Sequence, residues 1–147
     1  MMIKNIRHTG IVIDDIYTSL HFYQDLLGFK IVKQLKESGD AIDKMLGLKN
    51  CEVTTIKMEL DSGQMLELLN YHTHKMEKKV RAINDIGPTH IALSVSNIDR
   101  EYSRLKDAGV VFTAPPQDSA DGYAKVAFCI APEGTFVELV EELEKKF

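Results

Sequence analysis

The chain has no tryptophan, two cysteines and four prolines in 147 residues. Two cysteines cannot build a disulfide framework. Cys51 and Cys129 show no metal-type pairing either, so both are expected as reduced thiols. No apolar run approaches the ~20 residues that a membrane-spanning helix requires. The opening MMIKNIRH lacks the apolar core of a secretory signal, so a cytoplasmic protein with no membrane partner is expected. Positive charge is not in excess: 18 Lys and Arg stand against 22 Asp and Glu, a formal net charge of −4. A basic face for nucleic acid is therefore not expected. The densest basic cluster, Lys75, Lys78, Lys79 and Arg81, falls in a polar stretch and is expected to be solvated.

What the chain does have is 44% hydrophobic residues, enough for the core of one compact domain. Ile3–Ile13 alternates apolar and polar residues and predicts a strand with His8 in its middle. Asp14-Asp15 then offers an N-cap, Ile16, Leu20, Tyr23 and Leu27 recur at helical spacing, and Gly28 closes the helix. Phe29–Val32 begins a second strand. Lys36–Asn50 predicts a loop with a short helical turn. Glu52–Leu60 and Gln64–Tyr71 predict two strands joined by the turn Asp61-Ser62-Gly63. The polar stretch His72–Asp85 predicts a linker with some helix in its middle.

The same order then returns. Thr89–Ser96 predicts a strand with His90 near its start, and Ser96-Asn97 caps a helix holding Ile98, Tyr102, Leu105 and Ala108. Gly109 ends that helix, Val110–Thr113 is a strand, and Ala114–Tyr123 is a loop. Lys125–Ala131 and Thr135–Glu142 close the chain as a hairpin across Pro132-Glu133-Gly134. His8 and His90 lie 82 residues apart, as do Ile16 and Ile98, while Gly28 and Gly109 lie 81 apart. Glu67 and Glu138 are separated by 71, the difference falling where the first half carries its longer Lys36–Asn50 loop. The expected fold class is therefore α+β, built as a duplicated βαβββ unit. Module one covers residues 1–72, a linker 73–85 and module two 86–147.

Glu138 sits inside the apolar run Phe136, Val137, Leu139, Val140, so either orientation of the strand is expected to point its carboxylate into an apolar layer. An unpaired carboxylate there would cost several kcal/mol. Glu67, framed by Met65, Leu66, Leu68 and Leu69, repeats the situation. A lone histidine on a strand is ordinarily a hydrogen-bonded core residue, and a lone buried glutamate is ordinarily salt-bridged. Four such residues at matched places in two repeats point instead to a shared cation. Two imidazoles and two carboxylates form a borderline donor set that suits Ni²⁺, Co²⁺, Zn²⁺, Fe²⁺ or Mn²⁺.

Five stretches carry a family resemblance: His8-Thr9-Gly10-Ile11-Val12, SLHFYQDLLGF (Ser19–Phe29), LELLNY (Leu66–Tyr71), GPTHIALSV (Gly87–Val95) and EGTFVELVE (Glu133–Glu141). Together they resemble the vicinal-oxygen-chelate superfamily, which includes glyoxalase I, methylmalonyl-CoA epimerase, extradiol dioxygenases and the fosfomycin- and bleomycin-resistance proteins. The resemblance implies paired βαβββ modules forming a cupped mixed sheet around one metal, with His8, Glu67, His90 and Glu138 as its ligands. The order His, Glu, His, Glu is most similar to bacterial glyoxalase I (lactoylglutathione lyase), which implies nickel or cobalt, with zinc as the next choice.

The activity so implied is proton transfer alpha to a carbonyl, through an enediolate whose charge the cation holds. Glu138 would be the base and Glu67 would act from the opposite side. Tyr71, Phe22 and Met65 are candidates to shape the substrate pocket, with core packing the commoner job for a residue such as Phe22. The implied partners are a small hemithioacetal or thioester substrate and a second copy of the chain in a homodimer. Two positions depart from the glutathione-using pattern: Val12 stands where an Arg follows the first ligand, and Tyr71 stands where an Asn follows the first Glu, with Asn70 one residue short. The alternatives are a methylmalonyl-CoA epimerase-like enzyme, for which Glu52 is the nearest candidate second acid, and a ligand-binding or resistance protein without proton chemistry.

Overall fold

Strand alternation and helix caps account for the local structure of this computed structural model, which describes residues 1–144. The last three residues of the second sequence module lie outside the described residues. The chain divides into two compact units, Met1–Lys78 and Lys79–Phe147.

The first unit runs β1 (Thr9–Ile13), α1 (Ile16–Leu20) continuing as a π-helical stretch (His21–Leu26), β2 (Lys30–Ser38), α2 (Asp40–Leu46), β3 (Glu52–Glu59) and β4 (Met65–Tyr71). Asp15 caps α1, its carboxylate accepting from the Thr18 amide at 2.9 Å. Gly28 ends the helical segment at φ 85, a left-handed conformation that costs glycine nothing. The sheet order is β1-β4-β3-β2, with β1 parallel to β4 and the other pairs antiparallel.

Successive side chains on a strand point to opposite faces, so this sheet has two characters. Ile11, Ile13, Ile56, Met58, Leu66 and Leu68 share one face and are buried. The opposite face carries Gly10, Glu67, Leu69, Tyr71, Lys57 and Lys33, and most of it is partly open. One end of that face is closed, where buried Ile42 of α2, Cys51 and Val53 pack with Leu48, Leu69 and Tyr71.

The second unit runs β5 (His90–Ser94), α3 (Ile98–Asp107), β6 (Val111–Phe112), β7 (Gln117–Asp118), β8 (Ala124–Ile130) and β9 (Phe136–Glu142). Its sheet order is β5-β9-β8-β6, with β7 also pairing β8, and again only the first and last long strands, β5 and β9, pair parallel. Asn97 caps α3 through the Arg100 amide. Val137, Leu139, Ala127 and Cys129 lie on the dry face and are buried, as are Ile98 and Leu105 of α3, which packs on β8 and β9. Each unit therefore holds one mixed sheet with one dry face and one half-open face, in an α+β architecture.

Several sequence expectations change. The first strand begins at Thr9, not Ile3, because its ladder with β4 starts at the pair Thr9–Leu66; Ile3 and Ile6 are exposed, and His8 sits just ahead of the strand. The second strand runs on to Ser38, since β3 pairs with it along its length. The helical turn in Lys36–Asn50 is the helix α2, and Asp43 pins its exit by accepting from the Asn50 and Cys51 amides at 2.9 and 2.8 Å. The loop 114–123 holds the short strand β7, and residues 75–82 contain no helix. Among the described residues no helix is long and apolar enough to cross a membrane.

Candidate metal centre

The parallel pairing that opens and closes each unit is what places the candidate ligands. Because β1 lies beside β4, Gly10 aligns with Glu67, and His8, two residues earlier, shares the Glu67 face. Its Nε2 stands 3.8 Å from Glu67 Oε1. In the second unit Ala92 aligns with Glu138, and His90 Nε2 stands 3.4 Å from Glu138 Oε2. The four residues are thus brought together two by two, one His–Glu pair on the half-open face of each sheet. Among the described residues no group of three or more His, Cys, Asp or Glu side chains is gathered to hold a metal ion.

Glu138 does point among apolar neighbours, Ala92 and Phe128, but is not fully buried there. Val137 and Leu139 take the dry face, and Glu138 takes the other, with 20% of its side chain exposed; Glu67 keeps 15%. Partial exposure lowers the cost of a carboxylate there, so burial alone does not demand a partner. What remains distinctive is the pairing. Among the described residues neither glutamate has a Lys or Arg within ion-pair distance, and each instead faces an imidazole.

Both N···O separations exceed the 2.9–3.0 Å usual for an N–H···O hydrogen bond. Two donors each about 2.1 Å from one tetrahedral ion stand roughly 3.4 Å apart, and the His90–Glu138 separation matches that span. The residues present therefore fit a divalent ion in donor type and, for the second pair, in spacing.

The surroundings of the two pairs differ. Glu138 has Ala92 and Phe128 as its strand neighbours, and the Phe128 ring meets His90 edge-on at 5.5 Å. Glu67 has Gly10 and Lys57. Tyr71 lies four residues along from Glu67 on the same face, and Met65, half-buried, two residues before it. Burial, reinforced by Cys51 and Glu67, pushes the Tyr71 phenol above its usual range, so it remains a neutral hydroxyl at any ordinary working pH. Phe22 is 3% exposed and packs edge-on against Tyr23 at 4.9 Å, so it is a core residue with no surface to offer a substrate.

Two alternatives weighed on the sequence are sharpened by register. Asn70 points to the face opposite Glu67 and donates to the Ile13 and Asp14 carbonyls at 3.3 and 3.4 Å, so it cannot stand in for an Asn at Tyr71. Glu52 aligns with Ser38 and also lies on the face opposite Glu67. The β3 residue directly beside Glu67 is Lys57, and the β3 acid on the Glu67 face is Glu59, the register partner of Met65. Strand register is what the sequence pattern left open, and Lys57 was missed for that reason.

Comparison with known proteins shows the family. Residues 5–139 match the model of the glyoxalase/bleomycin resistance protein/dioxygenase superfamily. The chain belongs to that superfamily. It is 30% identical to the lactoylglutathione lyase of the fission yeast Schizosaccharomyces pombe, over 99% of this chain and 50% of that protein, so it spans half the length of that relative. It is 28% identical to a protein of Synechocystis named as a probable lactoylglutathione lyase, over 95% of this chain and 96% of that one. A glyoxalase family protein from Bacillus cereus superposes with a TM-score of 0.87 at 19% identity, covering 98% and 97% of the two chains. The trypanothione-dependent glyoxalase I of Leishmania major does so with a TM-score of 0.67 at 22% identity, covering 95% and 87%. Members of this superfamily commonly bind a divalent metal.

Proposed function

We propose that this protein is a divalent-metal-dependent enzyme of the glyoxalase type, a lyase or isomerase that moves a proton next to a carbonyl of a small hemithioacetal or thioester. The observation that carries this is the repetition: a His–Glu pair recurs at matched places of both units, His8 just ahead of β1 and His90 at the start of β5, on the half-open face each time. His8, Glu67, His90 and Glu138 are the metal ligands in this reading, one pair from each unit, with nickel, cobalt or zinc as the ion. A bound divalent cation would polarise the substrate carbonyl and stabilise the negative charge left when the alpha proton departs.

The chain's own residues supply the rest. Glu138 takes the proton, its carboxylate flanked by Ala92 and Phe128 with no lysine or arginine among the described residues to hold it elsewhere. Glu67 acts from the other side, and the neutral Tyr71 hydroxyl, with Met65, orients the substrate. The assembly is a homodimer, and metal-dependent dimerisation in sedimentation measurements tells whether the pairs serving one ion come from one chain or from two copies.

The test is solvent-deuterium incorporation by nickel-loaded protein into methylglyoxal–glutathione hemithioacetal, set beside an acyl-CoA epimerisation assay. Turnover of the hemithioacetal with label appearing in product supports the reading. Binding of substrate without any exchange, in either assay, would leave a ligand-binding protein instead.

A further inference from the structure

The His–Glu pair of the second unit makes a contact that the proposed function does not use. His90 opens β5, a five-residue edge strand held on one side only, by β9. Its Nε2 faces Glu138 at 3.4 Å, while its other ring nitrogen, Nδ1, stands 3.3 Å from the Thr89 hydroxyl oxygen. That distance is long for a hydrogen bond but within reach of one. The Phe128 ring supports the imidazole edge-on at 5.5 Å. His8 has neither support: among the described residues nothing hydrogen-bonds its second ring nitrogen and no aromatic ring packs on it. Its Nε2 stands 3.8 Å from Glu67, so the supported histidine is the one already at donor spacing.

A neutral imidazole carries a single N–H proton, on one nitrogen or the other. When Nε2 gives its lone pair to a cation the proton is on Nδ1, and the Thr89 hydroxyl oxygen is then its acceptor. Such a bond to the far nitrogen fixes both the tautomer and the ring orientation of a ligating histidine. Strand formation does not account for the hydroxyl. The part Thr89 plays in the sheet is a backbone one, its carbonyl accepting from the Phe136 amide at 3.1 Å. A β-branched side chain suits that position, and valine would serve it equally.

We propose that Thr89 is a positioning residue for the metal ligand His90: its hydroxyl oxygen accepts from Nδ1–H and holds the imidazole in the tautomer whose Nε2 lone pair is offered to the ion. This deepens the functional reading above and rests on it. It makes His90 and Glu138 the better organised half of the donor set, with less ring freedom to lose on binding than His8.

The test titrates nickel against a competing chelator in the parent protein, Thr89→Val and Thr89→Ser. The expected result is about 10–100-fold weaker nickel binding in Thr89→Val, with Thr89→Ser, which keeps a hydroxyl, close to the parent. Cobalt-loaded parent protein should show a slowly exchanging, paramagnetically shifted imidazole N–H proton that is lost in Thr89→Val and kept in Thr89→Ser. All three proteins, free of metal, should unfold at the same denaturant concentration. Nickel binding in Thr89→Val as tight as the parent's, or in Thr89→Ser as weak as in Thr89→Val, overturns the proposal and leaves the metal reading standing. So does weaker binding in Thr89→Val that comes with a lower unfolding midpoint and an unchanged N–H signal. Absence of nickel binding in the parent overturns the metal reading and this proposal with it.

Discussion

The two units carry the same His–Glu pair on the same parallel strand pair, yet they frame it in opposite ways. In the second unit the glutamate is bordered by Ala92 and Phe128, and the rest of its face is half-open strand. In the first unit it is bordered by Gly10 and Lys57, and α2 closes one end of the face with Ile42, Cys51, Leu48 and Tyr71. Both units keep the donor types, and the longer β2–β3 connection of the first unit adds a wall against which Tyr71 of β4 packs. In the proposed function this contrast becomes a division of labour, with Glu138 of the second unit as the base and Tyr71 and Met65 of the first as substrate-orienting residues.

The largest expected effect tests that division directly. Glu138→Gln should lower kcat by 10²–10⁴-fold, about the contribution of a positioned general base. Glu67→Gln should lower it by less, and a reversed order in steady-state assays would place the base in the first unit. Next come the dry faces, where the units should be alike. Leu68 and Leu139 are both fully buried, and truncation of either to alanine should cost about 2–5 kcal/mol in denaturant titrations. A much smaller cost in one unit would show that its sheet packs less tightly than the structure has it.

The helix caps offer a finer contrast. Asn97→Ala should cost about 1 kcal/mol at any pH, since an amide cap does not titrate. Asp15 differs, because hydrogen bonds from the Thr18 amide and hydroxyl hold its carboxyl below the usual range. Its contribution is complete above the ordinary carboxylate value near 3.9 and is lost as pH falls through the lower folded value. Acid titration followed by amide exchange should therefore loosen α1 before α3. The smallest expected signal is chemical: Cys129, pushed up to about 12 by burial, and Cys51, also buried, should resist a thiol reagent until the protein unfolds.

Much of this architecture was legible in the sequence because it rests on local signals. The capping residues Asp15 and Asn97, the helix-ending Gly28 and Gly109, and the 82-residue offset between His8 and His90 mark the duplication without any tertiary information. The start of the first strand was not legible, since alternation in Ile3–His8 continues past the point where β4 can pair with it. Nor was the degree of exposure of Glu138, because a run of apolar residues does not reveal which of two faces a sheet leaves open. Lys57 escaped for a related reason: its position beside Glu67 is a matter of register between β3 and β4, set by the whole hairpin and not by the residues around Lys57.

The account depends on both His–Glu pairs serving the same ion, and metal content by elemental analysis tests this most directly. Nickel-reconstituted parent protein should retain about one ion per four-donor set, and His8→Ala and His90→Ala should each lose it, although the two substitutions lie in different units. Retention of the parent's metal content in either variant, with the variant still folded, would contradict the claim.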